Sequence, residues 1–110
     1  MRLVKKALGD AVLLQVSGSI MFADTSTLKT ALHRLAKEGK KKIIVDISAM
    51  DSLNSQALAS FLSGYKMLRD GTIAFAGANP HVARVFQVAK LDDLFPMFDS
   101  VEQAATSLNA

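Results

Sequence analysis

Two short apolar runs separated by turn-forming residues open the chain. Residues 3–7 and 11–17 have the composition of β-strands, and the pair Gly9-Asp10 between them is typical of a hairpin turn. In the second run, apolar side chains recur at every other position from Val12, as in a strand with one face more buried than the other. We therefore predict that the chain begins with two antiparallel strands.

A helical period then replaces the strand pattern. Apolar residues from Leu28 to Leu35 fall at i, i+3, i+4 and i+7, residues 24–27 are rich in helix-capping types, and Gly39 follows the stripe. This pattern predicts an amphipathic helix. His33 lies off the apolar stripe, so we expect it to face solvent.

The centre of the chain combines a buried strand, a polar turn and a helix. Residues 43–47 form an apolar run broken only by Asp46, as expected of a strand covered on both faces. After the polar turn, the apolar residues of segment 58–68 repeat with helical spacing. Asn54 is suited to cap this helix, which leaves Ser55 in its first turn.

A second strand and helix follow, and then a shorter closing segment. Residues 72–76 indicate another buried strand, and Asn79 begins a helix that has a proline in its first turn. Residues 91–98 indicate a turn at Pro96 and a short edge strand, where a proline is tolerated. Residues 100–108 indicate a final helix capped by its first serine.

The order of elements is therefore β-β-α-β-α-β-α-β-α, which predicts an α/β fold. Strands separated by helices favour a mixed, mostly parallel sheet of four to five strands with helices packed on it. With 110 residues and no linker or repeat, the chain is expected to be one domain, residues 1–110.

Composition excludes several classes of protein. The chain has no cysteine, so disulfides and thiolate metal sites are absent. No apolar run approaches the length of a membrane span, and the amino terminus lacks the apolar core of a signal peptide, so we expect a cytoplasmic protein. The net charge of +3 is concentrated at residues 37–42, interpreted as a solvated loop. Nucleic-acid binding through these lysines is the weaker alternative.

The sequence offers little catalytic chemistry. His33 and His81 are not spaced with other metal-ligating residues, and no glycine-rich phosphate loop or nucleophile motif is present. The carboxylates of Asp46 and Asp51 fall in a strand and a turn with no histidine nearby in sequence. We therefore expect no enzyme activity, no metal and no cofactor.

Ser55 is the main candidate functional residue. A strand that leads into a helix N-terminus leaves free backbone N–H groups, and these favour a negative charge. Ser55 could therefore carry a phosphate, or it could be no more than a first-turn residue. The small residues that follow on the helix could make a flat surface for a partner, or could allow close packing on the sheet.

The chain resembles, over nearly its whole length, a single-domain member of the STAS family, the anti-sigma factor antagonists of bacteria. No single motif carries this resemblance, but the order and spacing of several segments together are fairly specific. These are segments 18–20, 43–48, 53–59, 79–86, 91–95 and 100–104, together with the helix that starts at Thr25.

The resemblance implies a protein-binding regulator of transcription that switches partners. In the family, a serine-kinase anti-sigma factor phosphorylates the serine that follows an Asp, and that serine corresponds to Ser55; a phosphatase would reverse the modification. Here the Asp is replaced by Asn54 and the motif's glycine by Ala57. A second acidic position is occupied by Met21, with Asp24 three residues further on.

The resemblance also suggests which residues contact a partner. It implies a monomer or weak dimer with protein partners, no direct nucleic-acid contact and no membrane span. The alternative is a STAS interaction subunit of a signalling scaffold or lipid-transport complex that is not phosphorylated. The predicted partner-binding residues are Asp24, Asn54, Ser55, Gln56, Ala57, Ala59 and Ser60.

Overall fold

The computed structural model describes residues 1–109 and has nine elements in the predicted order. The predicted strands at residues 3–7, 11–17, 43–47 and 72–76 and the predicted final helix at residues 100–108 lie within one residue of the observed bounds. The elements are β1 (Arg2–Leu8), β2 (Ala11–Ser17), α1 (Asp24–Lys37), β3 (Lys42–Asp46), α2 (Ser55–Met67), β4 (Thr72–Ala76), α3 (Pro80–Val88), β5 (Met97–Phe98) and α4 (Val101–Leu108).

The strands form one five-stranded sheet in the order β1-β2-β3-β4-β5. β1 and β2 are an antiparallel hairpin, with Arg2 opposite Ser17 and Leu8 opposite Ala11. The other neighbouring strands are parallel, because a helix separates each from the next. The predicted mixed, mostly parallel sheet is confirmed.

Helices cover both faces of this sheet. α1, α2 and α3 pack on one face, where their apolar side chains join the inward side chains of β2, β3 and β4 in the main core. α4 packs on the other face through Ala104, which joins a smaller cluster with Ile44 and Leu13. This explains why the central strands are apolar at nearly every position.

Phe75 on β4 lies at the centre of the main core. Its ring lies 4.8 Å from that of Phe61 on α2, 4.7 Å from Phe86 on α3 and 5.3 Å from Phe95. Edge-to-face and tilted contacts of this kind add stabilisation beyond the area buried. α2 and α3 are thereby fixed on the same strand, which determines the spacing between them.

The start of α1 differs from the expectation that its capping residues precede it. Residue Ala23 occupies the N-cap position and makes no side-chain cap bond. The capping types lie inside the first turn, where Asp24 Oδ2 accepts a hydrogen bond from the N–H of Met21 at 2.8 Å and Thr25 Oγ1 donates to the carbonyl of Phe22 at 2.8 Å. Because these two side chains bond to the preceding loop, the helix begins at Asp24 and includes the predicted capping residues.

The expectation that His33 faces solvent is wrong. Its side chain is half-buried against α2, and its Nε2 lies 3.1 Å from Ser63 Oγ. α1 approaches α2 closely because Gly64 has no side chain: a Cβ there would lie 2.7 Å from Leu32 Cβ. The apolar periodicity of α1 identified the face that packs on the sheet, but it did not identify the side of α1 that packs against α2.

Candidate functional site

The candidate site lies where the parallel strands end. The loops after β2, β3 and β4 meet at the carboxyl edge of the sheet, which is where α/β proteins commonly bind their ligands and partners. Ser55, the first residue of α2, is exposed there. Ser55 therefore stands in the first turn of a helix, where backbone N–H groups lack intrahelical partners.

Asn54 positions Ser55 through two hydrogen bonds. Its Oδ1 accepts from the N–H of Ala57 at 2.8 Å, which is the predicted cap, and its Nδ2 donates to the carbonyl of Ile20 at 2.9 Å. The second bond ties the start of α2 to the loop between β2 and α1. An aspartate at this position would keep the cap but, when ionised, would have no proton to donate to Ile20.

Asn79 makes the same arrangement at the start of the next helix, α3. Its Oδ1 accepts from the N–H of Val82 at 2.8 Å, and its Nδ2 donates to the carbonyl of Met50 at 3.3 Å. The two asparagine caps therefore each join a helix start to the loop that follows the neighbouring strand. The N–H of Gly18 also donates to the carbonyl of Ala49 at 3.0 Å, which joins the first two of these loops.

The predicted partner-binding residues fall into exposed and buried groups. Asn54, Ser55, Gln56 and Ala59 are exposed at the start of α2. Ala57 is fully buried in the core, so it offers no surface in the free protein.

Ser60 and Asp24 hold the structure around this exposed group. Ser60 is 6% exposed, and its hydroxyl lies within hydrogen-bonding distance of the carbonyls of Gln56 and Thr25, at 3.1 and 3.3 Å. Asp24 lies 3.5 Å from the amino terminus of Met1 and accepts from the N–H of Met21. This is the one ion pair within residues 1–109. Both side chains brace the start of α1.

Two exposed apolar residues beside Asn54 were missed by sequence reasoning. Met21 is 64% exposed and Phe22 is 74% exposed, immediately after the Ile20 carbonyl to which Asn54 donates. Their signal was present in the sequence: they lie between a strand and a helix and belong to neither apolar pattern. Large apolar side chains exposed next to a candidate site are typical of a protein interface.

A groove on the other side of Ser55 was also missed. It lies between α2 and α3 and has a volume of about 390 Å³. Its residues are up to 34 positions apart in sequence, so no local pattern joins them. It is lined by Ser55, Leu58, His81, Arg84, Val85, Val88 and Ala89.

The described part of the chain holds no cluster of metal-ligating side chains. No group of three or more histidine or acidic side chains could hold a metal ion, and every buried side-chain nitrogen or oxygen has a hydrogen-bond partner. A groove of about 410 Å³ near β1 contains Asp46, whose Oδ1 accepts from Ser48, but none of the predicted site residues. Across residues 1–109, every helix is too short or too polar to cross a bilayer.

Comparison with known proteins finds matches over nearly the whole chain. The family model for the STAS domain matches residues 2–104. BtrV of Bordetella bronchiseptica, a protein named as an anti-sigma factor antagonist, is 25% identical over 109 residues, which is 97% of this chain and 94% of BtrV.

Solved structures show the same fold. An anti-sigma factor antagonist from Mycobacterium paratuberculosis superposes with a TM-score of 0.91 at 20% identity, covering 99% of this chain and 94% of that one. The Bacillus cell fate determinant SpoIIAA in its phosphorylated form superposes with a TM-score of 0.78 at 15% identity, covering 97% of this chain and 99% of that one.

Proposed function

Because this chain belongs to the STAS domain family, we propose that it is an anti-sigma factor antagonist controlled by phosphorylation of Ser55. In this proposal the unphosphorylated chain binds a serine-kinase anti-sigma factor and so releases a sigma factor. The kinase inactivates the chain by phosphorylating Ser55, and a phosphatase restores it. The likeness to BtrV, which carries this name, supports the assignment.

The observation that carries the proposal is the position of Ser55 between two apolar surfaces. Met21 and Phe22 are exposed beside Asn54, and the groove between α2 and α3 reaches Ser55 from the other side. A partner that covers both surfaces must also cover the Ser55 hydroxyl. A modification of this one atom would then be buried in the interface.

The energetics of phosphorylation suit a switch. A phosphate adds about −1.5 to −2 charges. The fold tolerates this charge, because a helix N-terminus stabilises an anion locally. The interface does not, because burying the charge against an apolar partner surface costs several kcal/mol. A penalty of about 3 kcal/mol weakens binding about a hundredfold.

Asn54 is compatible with this role. Its cap bond to Ala57 holds Ser55 in the first turn of α2 without a carboxylate. Its amide also holds the loop that carries Met21 and Phe22. In this chain the residue before the phosphorylated serine would therefore act by organising the partner surface.

The test uses a serine-kinase anti-sigma factor from the same genome with ATP, and mass spectrometry of the product. We expect one phosphoryl group on Ser55, none on Ser55→Ala, and normal modification of Ser52→Ala, since Ser52 is an exposed serine in the preceding loop. Ser55→Asp should weaken kinase binding at least about tenfold. An unmodified chain whose kinase binding is unaffected by Ser55→Asp would refute the switch.

The second candidate is an interaction subunit that is not phosphorylated. It is favoured by the replacement of the family's Asp and Gly by Asn54 and Ala57. In that case the same apolar surfaces would hold a partner permanently. An unmodified Ser55 together with tight binding of a scaffold partner, unaffected by Ser55→Asp, would support this candidate.

A further inference from the structure

We infer that the groove between α2 and α3 docks an acidic, amphipathic helical segment of a protein partner. The inference rests on the proposed function, because it assigns part of the partner surface around Ser55. Beyond the proposed function, it specifies that the partner segment bound in the groove is helical and acidic.

The shape of the groove suits a helix better than a small molecule. Leu58 and Val85 are half-buried and form its floor, while Val88 is 73% exposed along its edge. A small ligand would normally have most of its surface enclosed, which an edge this open does not provide. A helix lying along the groove would cover Val88 with an apolar stripe.

The charge of the groove determines which helices it accepts. His81 and Arg84 lie at i and i+3 on α3 and are both exposed, and among the described lining residues none carries a carboxylate. Arg84 makes no ion pair or side-chain hydrogen bond within residues 1–109, so its guanidinium is available. A partner helix with glutamates or aspartates beside its apolar stripe would pair with these donors.

The position of the groove links this selectivity to Ser55. Ser55 lies on the groove's rim, so a phosphate there would repel the same acidic side chains that Arg84 attracts. It would also offer Arg84 a competing anion. Phosphorylation would therefore oppose an acidic segment more strongly than a basic one.

The probe is a designed helical peptide of about four turns, with leucines at i, i+3, i+4 and i+7 and glutamates beside them. A second peptide carries lysine in place of every glutamate. Each is titrated into the full-length chain labelled with ¹⁵N. We expect saturable shifts at Leu58, Arg84 and Val88, with the lysine peptide at least about fivefold weaker.

Matched variants test the two parts of the inference. Val88→Ser should weaken both peptides, and Arg84→Glu should reverse the preference between them. Lys29→Glu makes a similar change of charge on the exposed side of α1 and should leave the preference unchanged. Because all three positions are exposed, we expect each variant to stay folded.

Three outcomes would overturn the inference: no saturable shifts at the groove, equal affinity for the two peptides, or the same response to Arg84→Glu and Lys29→Glu. Any of these would leave the proposed function standing if the kinase still modifies Ser55. Conversely, an unmodified Ser55 would refute the switch while a glutamate-selective groove remained.

Discussion

Gly77 and Gly39 have nearly the same φ angle in different surroundings. Their φ angles are +77° and +78°, in the left-handed region that favours glycine. Gly39 ends α1 in open space, whereas a Cβ on Gly77 would lie 2.7 Å from the Cβ of Ser48. Gly77 therefore allows the loop after β4 to approach the loop after β3 at the carboxyl edge of the sheet.

Substituting alanine at each glycine should distinguish the cost of a positive φ angle, which both positions share, from the cost of a steric clash, which only Gly77 has. We expect Gly39→Ala to lower the free energy of unfolding by about 1–2 kcal/mol, the cost of a left-handed residue with a side chain. Gly77→Ala should cost about 1–3 kcal/mol more, because Ser48 must move. Urea unfolding of both variants measures the difference. Equal costs would show that the loops adjust freely.

At the level of elements, the packing of α1 against α2 fixes the helix that carries Ser55. Ser60 bonds to the carbonyl of Thr25, His33 contacts Ser63, and Gly64 meets Leu32. These contacts run along one flank of α2, while Ser55, Gln56 and Ala59 remain exposed on the helix. Of the small residues on α2, Ser60 and Gly64 therefore allow close packing, whereas Ala59 lies on the exposed surface.

Gly64→Ala should destabilise the chain although alanine favours helix. The gain in helix propensity is about 1 kcal/mol, and overpacking against Leu32 costs about 1–3 kcal/mol, so the net loss is about 0–2 kcal/mol. In the background of Leu32→Ala the contacts with Cγ and Cδ1 disappear while the contact with Cβ at 2.7 Å remains, so Gly64→Ala should cost less there than in the unaltered chain. A double-mutant cycle by thermal unfolding measures this coupling. A cost that is unchanged in the Leu32→Ala background would contradict the packing argument.

The elements were predictable from sequence where their signals are local. Asn54, Asn79 and Ser100 cap their helices as predicted, because a cap bonds within three residues of itself. The N-cap of α1 was not predicted, because residues 24–27 are all suitable capping types and the structure uses Ala23 instead. The environment of His33 and the groove beside Ser55 depend on how helices pack against each other, which a pattern along one helix does not contain.

At the level of the whole molecule, the basic run and the candidate site lie at opposite ends of the sheet. Lys40 and Lys41 precede β3, and Asn54 follows it after a turn. A strand of 5 residues spans about 16 Å, which exceeds the Debye length of about 8 Å at physiological ionic strength. The lysines therefore contribute little to the potential at Ser55.

Replacing Lys40, Lys41 and Lys42 with glutamine should leave kinase affinity and Ser55 modification unchanged within about twofold, since the charges are screened. The same variant addresses nucleic-acid binding, which would require a DNA affinity that falls steeply with salt and depends on these lysines. We expect the unaltered chain to show no such affinity in fluorescence anisotropy. Tight, lysine-dependent DNA binding would instead support the nucleic-acid alternative.

The two asparagine caps also bear on the kinetics of recognition. Because Asn54 holds the carbonyl of Ile20 and Asn79 holds that of Met50, the loops around Ser55 are tied in place before a partner arrives. A partner that docks there has little disorder to remove, so its association rate is governed by collision and orientation. Differences between partners, and between the two states of Ser55, would then appear mainly in the lifetime of the complex.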